Sequence, residues 1–239
     1  MLLFAKICGI TRLEDAEYAL ECGASSLGFV FWPRSPRAIE PDAARAIAAS
    51  VPSALIVGVF VNQPQEEVSR IAAEVPLDAV QLHGDETVEY AAALTRPVLK
   101  AIAVNGVTDE TVDVWPDSTM VLLDAHDPDR RGGTGRTVDW KRAAALARRR
   151  PVVLAGGLQP DNVGQAICSV RPFGIDVSSG VEARPGVKDR FRLDALFAAI
   201  KAASAGLAAM DEKTLPMGSP EARWLRACGW DGTREARRP

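Results

Sequence analysis

Short apolar runs, each followed by a stretch of helical periodicity, account for the first two hundred residues of the chain. Leu2-Leu3-Phe4-Ala5 leads through Lys6-Ile7-Cys8-Gly9 into a helical pattern from about Thr11 to Cys22, stopped by Gly23. Runs with strand character recur at Ser26–Phe31, Leu55–Val61, Ala79–Leu82, Pro97–Ile102, Met120–Leu123, Val152–Ala155 and Gly174–Val177. Helix signals fall between them. Thr11-Arg12-Leu13-Glu14 reads as a capping box, Pro41 and Pro64 open the second and third helices, and a fourth follows Asp85. A shorter piece is predicted near Thr108–Val114. Asp139 caps a sixth helix ending in Arg148-Arg149-Arg150, where cations suit the dipole. A seventh starts near Pro160, and the last runs from about Asp194 to Ala203.

Eight strand-then-helix units recurring every ~20–30 residues predict an α/β protein, a single-domain (β/α)8 TIM barrel over residues 1–205. A doubly wound open sheet is the alternative, but no GxGxxG follows the first strand. The rhythm stops near Gly206. Residues 206–239 read as a C-terminal extension and are expected to be flexible; a short helix at Glu221–Leu225, docked through Trp224 and Trp230, is the competing reading.

Composition narrows the function. The chain is 47% hydrophobic with only 6% aromatic residues, and such small aliphatic cores suit parallel packing. A net charge of −3 gives no sign of a polyanion-binding surface, so no nucleic-acid partner is expected. No apolar run approaches the ~20 residues that span a bilayer, and the N-terminus lacks a secretory pattern. The four cysteines (Cys8, Cys22, Cys168, Cys228) are scattered without CxxC, which argues against a zinc site or a disulfide framework and for the cytoplasm.

Candidate chemistry collects at the C-terminal ends of the strands, the active-site rim of a barrel. Cys8 ends the first strand, Arg37 follows the second, and Asn62, His83 and Asp124 end the third, fourth and sixth. Gly156-Gly157 and Ser178-Ser179-Gly180 follow the seventh and eighth. Strand alternation places Lys6 and Cys8 on one face, where the ammonium would favour a thiolate, so Cys8 is the candidate catalytic base; a small buried strand residue is the alternative. Asp124 ends an apolar run, and burial beside Leu122 and Leu123 would favour its protonated form, as an acid needs. A cap or loop ligand is the alternative there. The glycine pairs are either tight turns or a phosphate cradle. Asp176 shares a face with Ser178, as a sugar contact or a structural hydrogen-bonding group. His83 is a substrate contact or a supporting residue, His126 is assigned nothing, and Gly132–Gly135 form a lid or an ordinary connection.

The ordered set of motifs is specific. Lys6-Ile7-Cys8-Gly9, Gly28-Phe29-Val30-Phe31 with Ser35-Pro36-Arg37, and Gly58-Val59-Phe60-Val61-Asn62 are followed by Gln81-Leu82-His83-Gly84 and Leu123-Asp124. Gly132-Gly133-Thr134-Gly135, Ala155-Gly156-Gly157-Leu158 and Asp176-Val177-Ser178-Ser179-Gly180-Val181-Glu182 complete it. Over roughly residues 3 to 203 the chain resembles the phosphoribosylanthranilate isomerases of tryptophan biosynthesis. The resemblance implies a TIM barrel without metal or organic cofactor, acting on a small-molecule substrate, phosphoribosyl anthranilate, by an Amadori rearrangement. It implies Cys8 as general base, with Asp124 as general acid. Arg37 would clamp the substrate carboxylate, although Arg34 competes and a solvated loop arginine is the ordinary case. Lys6, His83 and Asp176 are counted as substrate-binding, and Gly156, Gly157, Ser178, Ser179 and Gly180 as phosphate-binding. A monomer is expected, a homodimer being the alternative. Two other functions stay open: another sugar-phosphate isomerase, such as that of histidine biosynthesis with its paired aspartates and similar halves, and a non-catalytic phosphosugar-binding barrel.

Overall fold

The computed structural model describes residues 3–104, 109–125, 138–208 and 219–229. Eight parallel strands close in chain order: β1 (Phe4–Cys8), β2 (Ser26–Val30), β3 (Leu55–Phe60), β4 (Ala79–Leu82), β5 (Val98–Ala103), β6 (Met120–Asp124), β7 (Val152–Leu154) and β8 (Gly174–Val177). The seam pairs Lys6 with Asp176, and on the other side of β1 Cys8 pairs with Gly28. Helices α1 (Leu13–Cys22), α2 (Pro41–Ser50), α3 (Gln65–Glu74), α4 (Val88–Ala92), α5 (Asp109–Asp113), α6 (Trp140–Ala147), α7 (Val163–Val170) and α8 (Arg190–Ala208) follow the strands in turn. The TIM barrel expected from the alternation is therefore present. His126, the Gly132–Gly135 segment and Trp230 lie outside the described residues.

Strand alternation sorts two apolar shells. Ala5, Ile7, Ile56, Phe60, Val121 and Leu123 face the helices, whereas Phe4, Leu55, Val57, Leu99, Met120, Leu122 and Val153 fill the ring. Along β1 the inward series runs Phe4, Lys6, Cys8, and along β6 it runs Met120, Leu122, Asp124. One parity rule thus carries the interior from apolar at the N-terminal mouth to reactive at the C-terminal mouth.

Local chemistry differs from expectation at several points. The predicted capping box does not form: Arg12 occupies the cap position of α1 without a side-chain hydrogen bond. The Thr11 hydroxyl donates instead to the carbonyl of Gly186, in the turn of a small hairpin, β9 (Glu182–Arg184) and β10 (Val187–Lys188). Asp139 does cap α6, accepting from Lys141 and Arg142 N–H. The basic run after α6 has another use, because Arg150 donates to the carbonyls of Val112, Trp115, Pro116 and Thr119 beyond it. The last barrel helix begins at Arg190 rather than Asp194. Asp189 accepts from Arg192 N–H at its start, while the outward Phe191, 86% exposed, interrupts the amphipathic signal there.

Within the extension, residues 219–229 include a short helix. Pro220–Ala227 form α9, with Ser219 Oγ accepting from Ala222 N–H and Pro220 in the first turn. Trp224, Leu225 and Cys228 are buried against the lower layer of the barrel interior. The indole Nε1 donates to Val98 carbonyl at 3.1 Å, and its ring meets Phe4 edge-on at 6.1 Å. Phe4 in turn stacks on Phe173 at 5.6 Å. Val98 and Phe4 begin their strands, so α9 stoppers the N-terminal mouth. Trp224→Ala should cost about 3 kcal/mol and lower Tm by roughly 6–12 °C. Thermal denaturation measures this; an unchanged Tm would show that the helix only rests on the surface.

Candidate functional site

At the opposite mouth the strand ends surround a cavity of about 420 Å³. Cys8, Arg37, His83, Asp124, Gly156, Gly157, Asp176, Ser178 and Ser179 all line it, from six different strand ends or the loops behind them. Val30, Val59 and Trp32 pack beside Cys8 and form its apolar wall. Cys8 and Asp124 therefore open into one space at one end of the ring.

Lys6 lies below this floor rather than in it. It is fully buried, does not line the cavity, and donates to Asp176 Oδ1 at 3.0 Å. Counted among the substrate contacts from the sequence, it lies one layer deeper than Cys8 along the same alternation. Gly28 makes room for both groups, since a Cβ there would lie 2.9 Å from Cys8 Sγ and 3.1 Å from Lys6 Nζ. Burial would lower the Lys6 pKa, but the Asp176 carboxylate and the Cys8 sulfur outweigh it and hold the ammonium above its ordinary value. For Cys8 burial dominates and pushes the thiol up. Lys6 opposes that rise and Asp176 adds to it. Lys6 thus pulls toward the thiolate as its spacing suggests, while desolvation pulls the buried sulfur the other way and is the larger effect.

Asp124 is 7% exposed, yet its surroundings are polar. Oδ1 accepts from Ala125 N–H at 2.7 Å, and Oδ2 lies 3.1 Å from His83 Nε2. His83 Nδ1 is 2.8 Å from Gln81 Nε2, so a line of contacts runs from Gln81 through the imidazole to the carboxyl. An imidazole that accepts from the amide nitrogen at Nδ1 would carry its proton on Nε2, facing Asp124.

Arg37 is held before any ligand arrives. Its Nε donates to Glu182 Oε1 at 2.8 Å and its Nη2 to Oε2 at 2.7 Å. Among the described residues Nη1 has no partner, leaving the Nη1–Nη2 edge for a second carboxylate. Gly9, at φ +75°, permits the approach: a Cβ there would sit 2.6 Å from Arg37 Cδ. Burial would raise the Glu182 pKa, but Arg37 and Lys188 hold it below the usual carboxylate range.

On the β7–β8 side, Gly156 and Gly157 turn the chain at φ +81° and +64°, and Asn162 Nδ2 braces the Gly157 carbonyl at 2.9 Å. Gly180, expected with the phosphate residues, does not line the cavity. It packs under Leu158, whose carbonyl would be 1.9 Å from an added Cβ.

Comparison with known proteins bears on the family and the fold. The family model for N-(5'phosphoribosyl)anthranilate (PRA) isomerase matches residues 5–199. The chain belongs to this family. It is 48% identical to the N-(5'-phosphoribosyl)anthranilate isomerase of Hahella chejuensis over 186 residues, covering 77% of this chain and 87% of that one. The crystal structure of the phosphoribosyl anthranilate isomerase of Thermus thermophilus superposes with TM-score 0.77 at 43% identity, covering 84% of this chain and 99% of that one. A phosphoribosyl anthranilate isomerase in complex with reduced 1-(o-carboxyphenylamino)-1-deoxyribulose 5-phosphate gives TM-score 0.73 at 39% identity, covering 84% and 99%.

Sequence reasoning missed Glu182, Lys188, Gln81 and Trp32. Glu182 ends a motif and Gln81 begins one, but neither ends a long apolar run. Lys188 carries no local signal at all. For Lys6→Met, both consequences push the thiol further up: a cation is lost and Asp176 is left unpaired. Alkylation of Cys8 by iodoacetamide, followed by peptide mass analysis, should slow at fixed pH and shift its midpoint to higher pH. A downward shift would reverse the electrostatic assignment.

Proposed function

We propose that the chain catalyses the Amadori rearrangement of N-(5'-phosphoribosyl)anthranilate to 1-(2-carboxyphenylamino)-1-deoxyribulose 5-phosphate. The carrying observation is the opening of Cys8 and Asp124 into one cavity of the size of a small phosphosugar conjugate. Asp124 acts as general acid. It delivers a proton to the furanose ring oxygen as the C1'–O bond breaks, leaving a Schiff base between C1' and the anthranilate nitrogen and a free hydroxyl on C4'. Cys8 acts as general base and removes the C2' proton. The released electron pair forms C1'=C2' while the C=N pair returns to nitrogen, and tautomerisation of the enolamine gives the ketone.

Burial pushes the Cys8 thiol up. A protonated Schiff base over Sγ adds the positive charge that makes the thiolate favourable at the moment it is needed. His83 serves Asp124 from the side, aligning the carboxyl through Oδ2. Arg37 offers its open edge to the anthranilate carboxylate. The wall of Val30, Val59 and Trp32 suits the flat ring between that clamp and Cys8. Backbone N–H groups of the Gly156-Gly157 turn and of Ser178-Ser179 hold the phosphate, and Asp176 meets the sugar hydroxyls. A second barrel isomerase reading would need paired aspartates, and Cys8 occupies the base position instead.

Turnover of phosphoribosyl anthranilate, followed by loss of its fluorescence, tests the proposal. A folded protein that binds but does not turn over the substrate favours a phosphosugar-binding barrel. Cys8→Ala and Asp124→Asn should each lower kcat by about 10²–10⁴-fold in a folded barrel; near-normal rates would remove that residue from the chemistry. Arg37→Ala should raise KM by roughly 10- to 100-fold, the worth of a charge-assisted pair. An unchanged KM would remove the clamp.

A further inference from the structure

Behind the floor of the cavity lies a second buried cation. Lys188, in β10, is 5% exposed, and its ammonium meets three acceptors: Cys8 carbonyl at 2.6 Å, Ser178 carbonyl at 3.2 Å and Glu182 Oε1 at 2.9 Å. An ammonium has three N–H donors, so the tripod is filled. Two of its feet are the backbone of the candidate base and of the candidate phosphate loop. The third is the carboxylate that grips Arg37.

The hairpin itself is anchored. Lys188 N–H donates to the buried Asp15 at 2.9 Å, Gly186 N–H to Glu182 Oε1 at 3.3 Å, and Arg192 Nη1 to the Glu182 carbonyl at 2.7 Å. Lys188 thus ties β1, the loop after β8 and the Arg37 loop to one atom that lies beyond the substrate's reach. A lysine buried only to fill space would be cheaper as Met or Leu, since burial alone depresses its charged form.

Resting on the catalytic reading above, we propose that Lys188 is a positioning residue that sets the placement of Cys8 relative to Arg37 through the Cys8 carbonyl and Glu182. Lys188→Met removes the tie to the Cys8 carbonyl and one of the two cations on Glu182, but leaves the Arg37–Glu182 fork. It should lower kcat about 100-fold, the cost of a displacement near 1 Å, with KM changed less than about threefold. The pH midpoint for Cys8 alkylation should move up, because a cation within reach of the sulfur is gone. Lys188→Arg, which keeps the charge, should restore much of the alkylation profile. Glu182→Gln should show the opposite split, with KM raised about tenfold and kcat held more closely.

Lys188→Met protein of native circular dichroism with wild-type kcat and a wild-type alkylation profile would overturn the proposal. If Lys188→Met does not fold, Lys188→Arg and Glu182→Gln decide, and changes in Tm alone, with no change in alkylation or in the kcat–KM split, would likewise overturn it. Alkylation reads Cys8 without turnover, so a shifted profile in Lys188→Met supports the tie even if Cys8→Ala proves active, and that activity would count against the catalytic reading alone.

Discussion

The ion pair of Lys6 and Asp176 is the constraint around which the molecule is arranged. Its partners face each other across the seam where the first and last strands meet, and neither is open to solvent by more than 8%. Two ions removed from water need close mutual contact to offset their desolvation, and loss of one partner would leave a buried charge at a cost of about 3–5 kcal/mol. The closed ring supplies the contact and is in turn pinned in register by it. The same pair sets the field at Cys8, one layer above. It is a cation that draws the thiol toward ionisation and a carboxylate that partly cancels that pull.

From that level upward the interior is polar, and downward it is apolar. Parallel strands all point one way, so their ends form two chemically different mouths. One mouth collects Cys8, Asp124, Arg37 and the glycine turns. The other is sealed by Trp224 and its neighbours on α9. The Thermus thermophilus enzyme is matched over 99% of its length by 84% of this chain. The sealing helix follows α8 and lies beyond residues 5–199, which carry the family pattern. Stability added there acts on the end of the barrel away from the candidate chemistry.

The network of Arg37, Glu182 and Lys188 shows how a cavity can be stiffened from outside its lining. Each charge has a partner, and the two other hydrogen bonds of the Lys188 ammonium go to the backbone carbonyls of Cys8 and Ser178. A guanidinium fixed in this way loses little rotamer freedom when a ligand carboxylate arrives. Gln81, His83 and Asp124 form a second such line of contacts on the other wall.

Much of this was legible in the linear chain. The eight apolar runs, the parity that aligns Lys6 with Cys8 and Leu122 with Asp124, and the glycine turns after β7 and β8 are short-range patterns governed by strand period and backbone sterics. They suffice for the barrel, its direction and the ring of residues at its rim. Groups whose partners are distant in sequence were not legible. Thr11 exchanged a local cap for a carbonyl 175 residues away, Lys188 found the Cys8 carbonyl 180 residues away, and Trp224 found Val98 across 126. No periodicity encodes such pairings, because they arise only when closure of the ring brings remote segments together. Covalent order and hydrophobic spacing thus determined which side chains face inward and at which mouth, while closure of the ring decided their burial and their long-range hydrogen-bond partners.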